Sequence, residues 1–309
     1  MEGIKNRYDF VFLFDVKDGN PNGDPDFDNM PRVDDETNHG LVTDVCIKRK
    51  VRNYVQLLKN LETPYDVFIR DGNVLNTLIQ QKRDAADKDN PNDQKRSIKV
   101  GRDEMCKQYY DIRTFGAVMS TGEEKAEEAD EETTEKKSKS KSKSKTIKGL
   151  GVVRGPVQLT FARSIDPVFA KLYTVTRCCL TKESDAEDKN NTMGNKNNVS
   201  YGLYRMHGFI SATDAQKTGF SEEDLQLLFE ALVNAFEHDR AAARGEMNPR
   251  KLIVFKHDSH LGNARSGQLF DLVHVEKNAD VEFPRSFSDY TVTIDKENCP
   301  ANVTIEEKI

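Results

Sequence analysis

The stretch RYDFVFLFDV, residues 7–16, decides the fold of this chain. It is a short run of aromatic and β-branched residues, and it is followed by the segment GNPNGDPD at residues 19–26. An apolar run of this length, bounded by Gly, Asn, Asp and Pro, predicts a buried β-strand that ends in a loop. We therefore take residues 7–16 as the first strand of the fold and the residues up to Gly40 as a long connecting loop.

The segments that follow predict an α+β protein. Residues 43–61 form the clearest helix, because Ile47, Val51 and Val55 fall on one face and Thr43 suits the N-cap. The main predicted elements are strand 8–16, helix 43–61, strand 155–162, strand 203–212, helix 221–243 and strand 251–256. This is the βαββαβ order of a ferredoxin-like core, which RNA-recognition modules share with an open sheet. We also predict strands at 67–70, 172–180, 270–275 and 290–294, and irregular structure at 82–104.

Residues 122–150 have a composition that cannot form a core. Eight acidic residues lie within 123–135, and seven lysines, alternating mostly with serine, lie within 136–148. Such a charged, low-complexity segment buries too little apolar surface to offset the entropy of ordering. We predict that it is a disordered insertion, and that deletion of residues 123–148 leaves the melting temperature and the RNA affinity nearly unchanged.

The composition excludes several classes of protein. The chain has 309 residues and a formal net charge of −6 at pH 7. No apolar run is long enough for a membrane span, the five cysteines show no zinc-site spacing, and MEGIKNRYDF does not resemble a signal peptide, so we expect a cytoplasmic protein. An acidic chain can bind a polyanion only if its cations are gathered on one face.

One cluster of cations lies on the first predicted helix. Its sequence KRKVR places Lys48, Arg49, Lys50 and Arg52 within five residues. Lys48, Arg52 and Lys59 fall on one flank of the apolar face at 100° per residue, which is the arrangement of a phosphate track. A solvated helix face is the alternative interpretation. If the track is real, reversing the charge at Lys48 and Arg52 should weaken RNA binding without unfolding the helix.

The loop after the first strand allows a metal interpretation. Asp18, Asn20, Asn22 and Asp24 have the spacing of calcium ligands, but the last ligand position is Asn29 and prolines interrupt the loop. Asx turns that stabilise the loop are the favoured explanation. A second functional possibility is that Asp24 or Asp26 activates water with a metal to cut RNA. The histidines at 207, 238, 257 and 260 have no motif spacing and are expected to be structural.

Several longer strings resemble one family. They are RYDFVFLFDV, GNPNGDPD, NMPR and HGLVTDVCIKRKVRNYV within 7–55, DIRTFGAVMS at 111–120, VRGPVQLTFARSIDPV at 153–168, TMG and YGLYRMHGFISA within 192–212, and FEHDRAAARGEM at 236–247. Together they resemble the RNA-binding backbone subunit of the type I-C CRISPR Cascade complex, of the repeat-associated RNA-binding superfamily. The resemblance covers most of the chain in order, apart from 80–105 and 122–150.

The resemblance implies a single hand-shaped domain over residues 1–309. Its modified RNA-recognition core would comprise 7–61, 153–162 and 203–256, with a thumb-like insertion at about 163–202. Family members stack head to tail along a CRISPR guide RNA as a helical filament in antiviral defence, beside other Cascade subunits. They display the guide for pairing with target DNA, which a recruited helicase-nuclease cuts. The implied protein is a non-catalytic scaffold that needs no cofactor or metal.

The resemblance also implies which residues contact RNA. The family's basic first helix corresponds to Lys48, Arg49, Lys50 and Arg52. A strand edge after the low-complexity segment corresponds to Arg154, and the tip of the thumb to Met193 with Lys196. Met193 either wedges between bases, as slender apolar side chains do on nucleic acids, or fills a gap in the core. A metal-dependent RNA endonuclease of the same superfamily and an unrelated calcium-binding module are the competing functions.

Overall fold

The computed structural model describes residues 2–120, 149–176, 179 and 193–309 of the chain. The predicted disordered insertion at 122–150 lies outside this part, except for its last two residues. The predicted strand at 172–180 and the thumb-like insertion at 163–202 are described only in part.

The described chain is a mixed α and β structure. Its helices are α1 (Asp44–Lys59), α2 (Leu75–Asp89), α3 (Gln94–Gln108), α4 (Tyr110–Phe115), α5 (Ala212–Thr218), α6 (Glu222–Val233) and α7 (Ser266–Asp271). Short 3₁₀ helices lie at Pro25–Phe27 and Phe287–Asp289. The strands are β1 (Tyr8–Gly19), β2 (Gly23–Asp24), β3 (Met30–Pro31), β4 (His39–Val42), β5 (Gly116–Met119), β6 (Gly151–Arg154), β7 (Val157–Leu159), β8 (Ala162–Pro167), β9 (Ala170–Thr176), β10 (Met193–Ile210), β11 (Glu246–His257), β12 (Val273–Lys277), β13 (Tyr290–Ile294) and β14 (Val303–Glu307). The predicted α+β class is confirmed.

One large antiparallel sheet organises these elements. Its strand order is β14-β11-β1-β10-β8-β4, and β7 and β9 also pair with β10. β1 lies in the middle, so Phe12 stands opposite Met206 on β10 and Leu252 on β11. The stretch quoted above is therefore the central strand of the sheet, paired on both edges.

Both faces of the sheet are covered. The even-numbered residues Phe10, Phe12 and Phe14 face α1 and α6 in the main core. The odd-numbered residues Val11 and Leu13 face a second core that α7, β12 and β13 contribute to. In the described part of the chain, the large sheet therefore lacks the free face that an RNA-recognition module has. The cause is visible in β1 itself, because its even-numbered residues from Tyr8 to Val16 are all apolar, and Val11 and Leu13 place apolar side chains on the opposite face as well, so each face needs a covering layer.

The boundaries of the two predicted core helices follow their caps. The side chain of Thr43 accepts from the backbone N–H of Cys46, and α1 ends at Asn60, whose φ of 50° lies in the left-handed region. Ser221 and Asp224 form the capping box that the sequence indicates at the start of α6. However, α6 ends at Val233 and not at 243.

Three other predictions were wrong. Residues 67–70 form no strand, and only Asp66 makes an isolated bridge, to Tyr109. The segment at 82–104 is not irregular but lies mostly within α2 and α3. The predicted strand at 270–275 is divided between α7 and β12. A short apolar run does not distinguish a strand from a buried helical turn by periodicity alone, which explains the last error.

Helices α2 and α3 were missed because small and polar residues form much of their packed face. Arg83, Ser97 and Gly101 are buried there beside Met105. Gly101 allows α3 to approach Leu150 closely, since a Cβ at this position would lie 2.4 Å from a Leu150 methyl carbon. A face of this composition produces little hydrophobic periodicity, although it packs well.

Candidate nucleic-acid interface

Two of the basic residues on α1 lie at or near the surface. The Lys48 ammonium is 2.8 Å from Asp44 and sits over the ring of Phe115. The guanidinium of Arg49 is half exposed and pairs with Asp71, which is almost fully exposed, at 2.9 Å. An exposed ion pair of this kind contributes little to stability, so Arg49 can exchange its partner for a phosphate at small cost.

Lys50 and Arg52, two further basic residues on α1, are buried. Lys50 pairs with Asp239, and Arg52 donates from Nε to Asp111 at 2.8 Å. The same Asp111 carboxylate accepts from the backbone N–H groups of Phe68 and Ile69, at 2.8 and 3.0 Å. These contacts connect α1 to the rest of the core and give Lys50 and Arg52 a structural role. The expectation that Arg52 can be reversed in charge without unfolding the protein therefore no longer holds.

Arg154 is the most exposed of the predicted cations. It ends β6, its side chain is 79% exposed, and its Nε lies 3.4 Å from Asp214. The next residue, Gly155, lies against the backbone of Phe115, because a Cβ at this position would meet the Phe115 carbonyl carbon at 2.3 Å. Phe115 in turn contacts Lys48. The fold thus brings α1 and the Arg154 strand edge together around the end of α4, although they are about a hundred residues apart.

A hairpin of β9 and the start of β10 extends the sheet. Every residue from Lys171 to Thr176 is exposed, so both faces of β9 are accessible. Tyr173 stands opposite Lys196, and Thr176 stands opposite Met193. Because side chains alternate along a strand, Met193 and Lys196 point to opposite faces. The structure does not bring these two predicted contacts together on one surface.

Each face of the hairpin has its own chemistry. The first face carries Lys171, Tyr173 and Lys196, and the Lys171 ammonium lies 5.2 Å from the centre of the Tyr173 ring. The second carries Met193, which is 68% exposed, and Leu172. Sequence reasoning missed Lys171 and Tyr173. Their i, i+2 spacing at the start of the predicted strand 172–180 is the signal that could have placed a cation beside an aromatic ring.

The loop from Gly19 to Val42 is held by its own polar side chains. Asn22 accepts from both the N–H and the hydroxyl of Thr43, at 2.9 Å each. Asp24 caps the first 3₁₀ helix and accepts from Arg32 at 2.9 Å. Within the described ranges, no group of three or more His, Cys, Asp or Glu side chains is placed to hold a metal ion. The Asp and Asn side chains named here act as turn and cap acceptors.

His207 belongs to the second core of the sheet. Its ring stacks on Phe270 with 4.0 Å between centroids, and its Nε2 accepts from Arg205 Nε at 2.9 Å. Burial, together with the Arg205 charge, lowers the pKa of His207 to about 4. The imidazole is therefore neutral at pH 7 and serves as an acceptor, as expected for a structural histidine.

The fold and this surface define an α+β protein with exposed cations at a strand edge and on a protruding hairpin. No helix among the described residues is both long and apolar enough to cross a membrane. The sequence profile of the family described as "CRISPR-associated protein Cas7" matches residues 6–295. The chain belongs to this family.

Individual proteins and solved structures are also similar to this chain. A protein of Haloferax volcanii described as "CRISPR-associated protein Cas7" is 23% identical over 300 residues, covering 94% of this chain and 81% of the relative. Among solved structures, a chain of a "CRISPR RNA-guided surveillance complex, pre-nicking" is similar with a TM-score of 0.45 and 12% identity, over 81% of this chain and 78% of that one. A chain of another "CRISPR RNA-guided surveillance complex" has a TM-score of 0.40 and 13% identity, over 81% and 68%.

Proposed function

We propose that this protein is a non-catalytic backbone subunit that binds CRISPR guide RNA in repeated copies. The observation that carries the proposal is the family match over residues 6–295, which spans the central sheet, α1 and the hairpin. In this role the protein binds and orders RNA, and presents its bases for pairing with target DNA. Other subunits of a Cascade complex, of type I-C by resemblance, and a recruited helicase-nuclease supply the remaining functions.

The core of the proposed hand is a ferredoxin-like βαββαβ unit. Its members are β1, α1, the strand pair β7 and β8, β10, α6 and β11. The antiparallel order β11-β1-β10-β8 supports this assignment, because a ferredoxin-like sheet places its fourth, first, third and second strands in that sequence. The hairpin of β9 and β10 is then the thumb of a single domain that spans residues 1–309.

The accessible cations indicate the path of the RNA. Arg49, Arg154 and Lys196 can contact phosphates, whereas Lys50 and Arg52 support α1 from inside the core. On the hairpin, Tyr173 offers a ring on which a base can stack beside Lys196. Lys48 is mostly buried, with its ammonium over the ring of Phe115.

The two faces of the hairpin contact the RNA in different ways. Stacking on Tyr173 is indifferent to base identity, which suits a scaffold for any guide sequence. Met193, on the opposite face, is slender and exposed, as a wedge between neighbouring bases must be. A hairpin that crosses the RNA can therefore support one nucleotide and separate the next.

Purification of the protein from cells that express its CRISPR array tests the proposal. We expect bound RNA of uniform length, measured by gel electrophoresis and by the ratio of absorbance at 260 and 280 nm. The double variant Arg49→Glu with Arg154→Glu should retain much less RNA. The matched control, Lys107→Glu with Lys296→Glu, makes the same change in net charge at exposed positions away from this surface. Absence of RNA from the wild type, or equal losses in both variants, would contradict the proposal.

A further inference from the structure

A second group of cations lies beside the proposed RNA path, mostly on α3 and α5, which that path does not use. It surrounds an open groove of about 400 Å³ between α3, β6 and α5. Lys99 and Arg102 come from α3, Lys217 comes from α5, and Arg154 forms the boundary with the proposed guide surface. Most of α3 lies in the 80–105 segment that the family resemblance does not cover.

The charges around this groove do not balance. Asp214 is the carboxylate shared by two of the cations, at 2.8 Å from Lys217 and 3.4 Å from Arg154. Asp103 is the second acid in the lining. Four cations therefore face two carboxylates, and a single buried carboxylate satisfies two of the four. The remaining positive charge is available to an anion from outside.

Lys99 and Arg102 make few polar contacts with the described part of the protein. Among the described residues, the hydrogen bond of Arg102 is to the carbonyl of Val152, at 3.5 Å, which is the limit of a hydrogen bond. Lys99 is exposed, and the described part of the chain gives it no ion-pair partner. Lys95, one turn earlier on α3, extends the row to about 10 Å between Lys95 and Arg102 at 1.5 Å per residue. A row of cations along a groove fits an extended polyanion better than a compact ion.

We propose that this groove binds the phosphodiester backbone of a second nucleic-acid strand, distinct from the guide that contacts α1 and the hairpin. The groove presents charged side chains and no exposed aromatic ring among its lining residues, so it holds the backbone and does not read bases. The inference rests on the proposed function only in treating the guide as already bound elsewhere. Single-stranded DNA and a further stretch of RNA share the chemistry that the groove recognises.

Binding of a labelled strand to the guide-loaded protein tests the inference. Fluorescence anisotropy is measured over a range of salt concentrations, with one non-complementary DNA and one RNA of the same sequence and length. In the variant Lys99→Glu with Arg102→Glu, loss of two phosphate contacts should weaken binding several-fold. The slope of log affinity against log salt should become shallower by about 1.4, or 0.7 for each contact.

A second variant of the same helix is the control. Arg96→Glu with Lys107→Glu changes the net charge equally, but neither residue lines the groove. It should leave the slope at the wild-type value. A shallower slope in the groove variant for the DNA alone, for the RNA alone, or for both supports binding in the groove. It also identifies which kind of strand the groove binds. The proposal would be overturned if the groove variant had the same slope as the wild type. It would also be overturned if the control variant lost as much affinity as the groove variant.

The amount of guide RNA that co-purifies distinguishes failure of the groove proposal from failure of the proposed function. The groove variant should retain guide RNA at the wild-type level, because Lys99 and Arg102 lie outside the guide surface. If the groove variant alone loses its guide, the groove is part of the guide site and the second-strand proposal is wrong. If the wild type itself carries no guide, the proposed function fails independently of the groove result.

Discussion

The buried pair of Arg52 and Asp111 should make a basic residue of α1 important for stability and not for RNA contact. Replacing Arg52 with Met keeps the aliphatic stem and removes the guanidinium that donates to Asp111 at 2.8 Å. The carboxylate then stays buried, with only the N–H groups of Phe68 and Ile69 as donors. Replacing Arg49 with Met, on the next turn of the same helix, removes a cation that is half exposed.

The structure predicts the size and order of the effects. Removing one partner of a buried ion pair costs about 3–5 kcal/mol. Arg52→Met should fall near 3 kcal/mol, since two backbone donors still stabilise the carboxylate. Asp111→Asn should cost more, about 5 kcal/mol. The NH₂ group of the new amide would face the buried donors that Asp111 now accepts from, so at least one of these donors would lose its acceptor. Arg49→Met should stay within about 1 kcal/mol of the wild type.

Urea unfolding followed by far-ultraviolet circular dichroism measures these differences, provided that the unfolding slopes agree among the variants. RNA binding of each folded variant is measured in parallel. We expect Arg52→Met to lose stability but to keep RNA affinity when folded, and Arg49→Met to do the reverse. Equal losses of unfolding free energy in the two arginine variants would refute the assignment of Arg52 to the core.

Three further predictions concern the hairpin, the loop and the second core. Replacing Met193 with Ser should keep most of the phosphate-driven affinity but blur the periodic exposure of guide nucleotides; identical reactivity to chemical probes would show that Met193 is not the wedge. Wild-type protein, Asp24→Ala and Asp26→Ala should all fail to cut guide-complementary RNA with Mg²⁺ or Mn²⁺, and metal-dependent cutting lost in either variant would establish the endonuclease instead. The lowered pKa of His207, about 4 against 6.5 in the unfolded chain, means that the unfolded state binds more protons between these values, so stability should fall as pH drops from 7 to 5. After allowance for solvent screening this loss is about 1 kcal/mol, and a His207→Gln variant should show less of it in urea unfolding at the two pH values.

Local patterns predicted the elements whose stabilising contacts are local or strictly periodic. The face of α1 and its Thr43 cap follow from a few neighbouring residues, and the central strand follows from an uninterrupted apolar run. The α2–α3 pair was not predictable in this way. Its packing depends on Gly101 lying against Leu150, about fifty residues later, and on the buried guanidinium of Arg83.

The candidate site was predictable only in part, because the partners of its cations are distant in the sequence. Helical geometry gives the angle between Lys48 and Arg52 but does not reveal which of them finds a buried carboxylate. Asp111 is 59 residues from Arg52, and Asp239 is 189 residues from Lys50. Burial of a cation is therefore a property of the tertiary structure, whereas a dense basic run is visible in the sequence.

The covered sheet also explains where an RNA interface can lie in this protein. In an open RNA-recognition sheet, aromatic side chains on the free face stack on bases. Here the corresponding odd-numbered positions of β1 are Val11 and Leu13, and residues of α7, β12 and β13 pack over them. The surfaces that remain accessible to RNA are then strand ends, helix termini and projections from the sheet. The hairpin meets this requirement because β10 continues past the core for about six residues beyond Val199, and its ladder with β9 holds Tyr173 and Lys196 opposite each other. An aromatic ring that an open sheet would carry on its face is thus presented on β9, which pairs with an extension of one of the same strands.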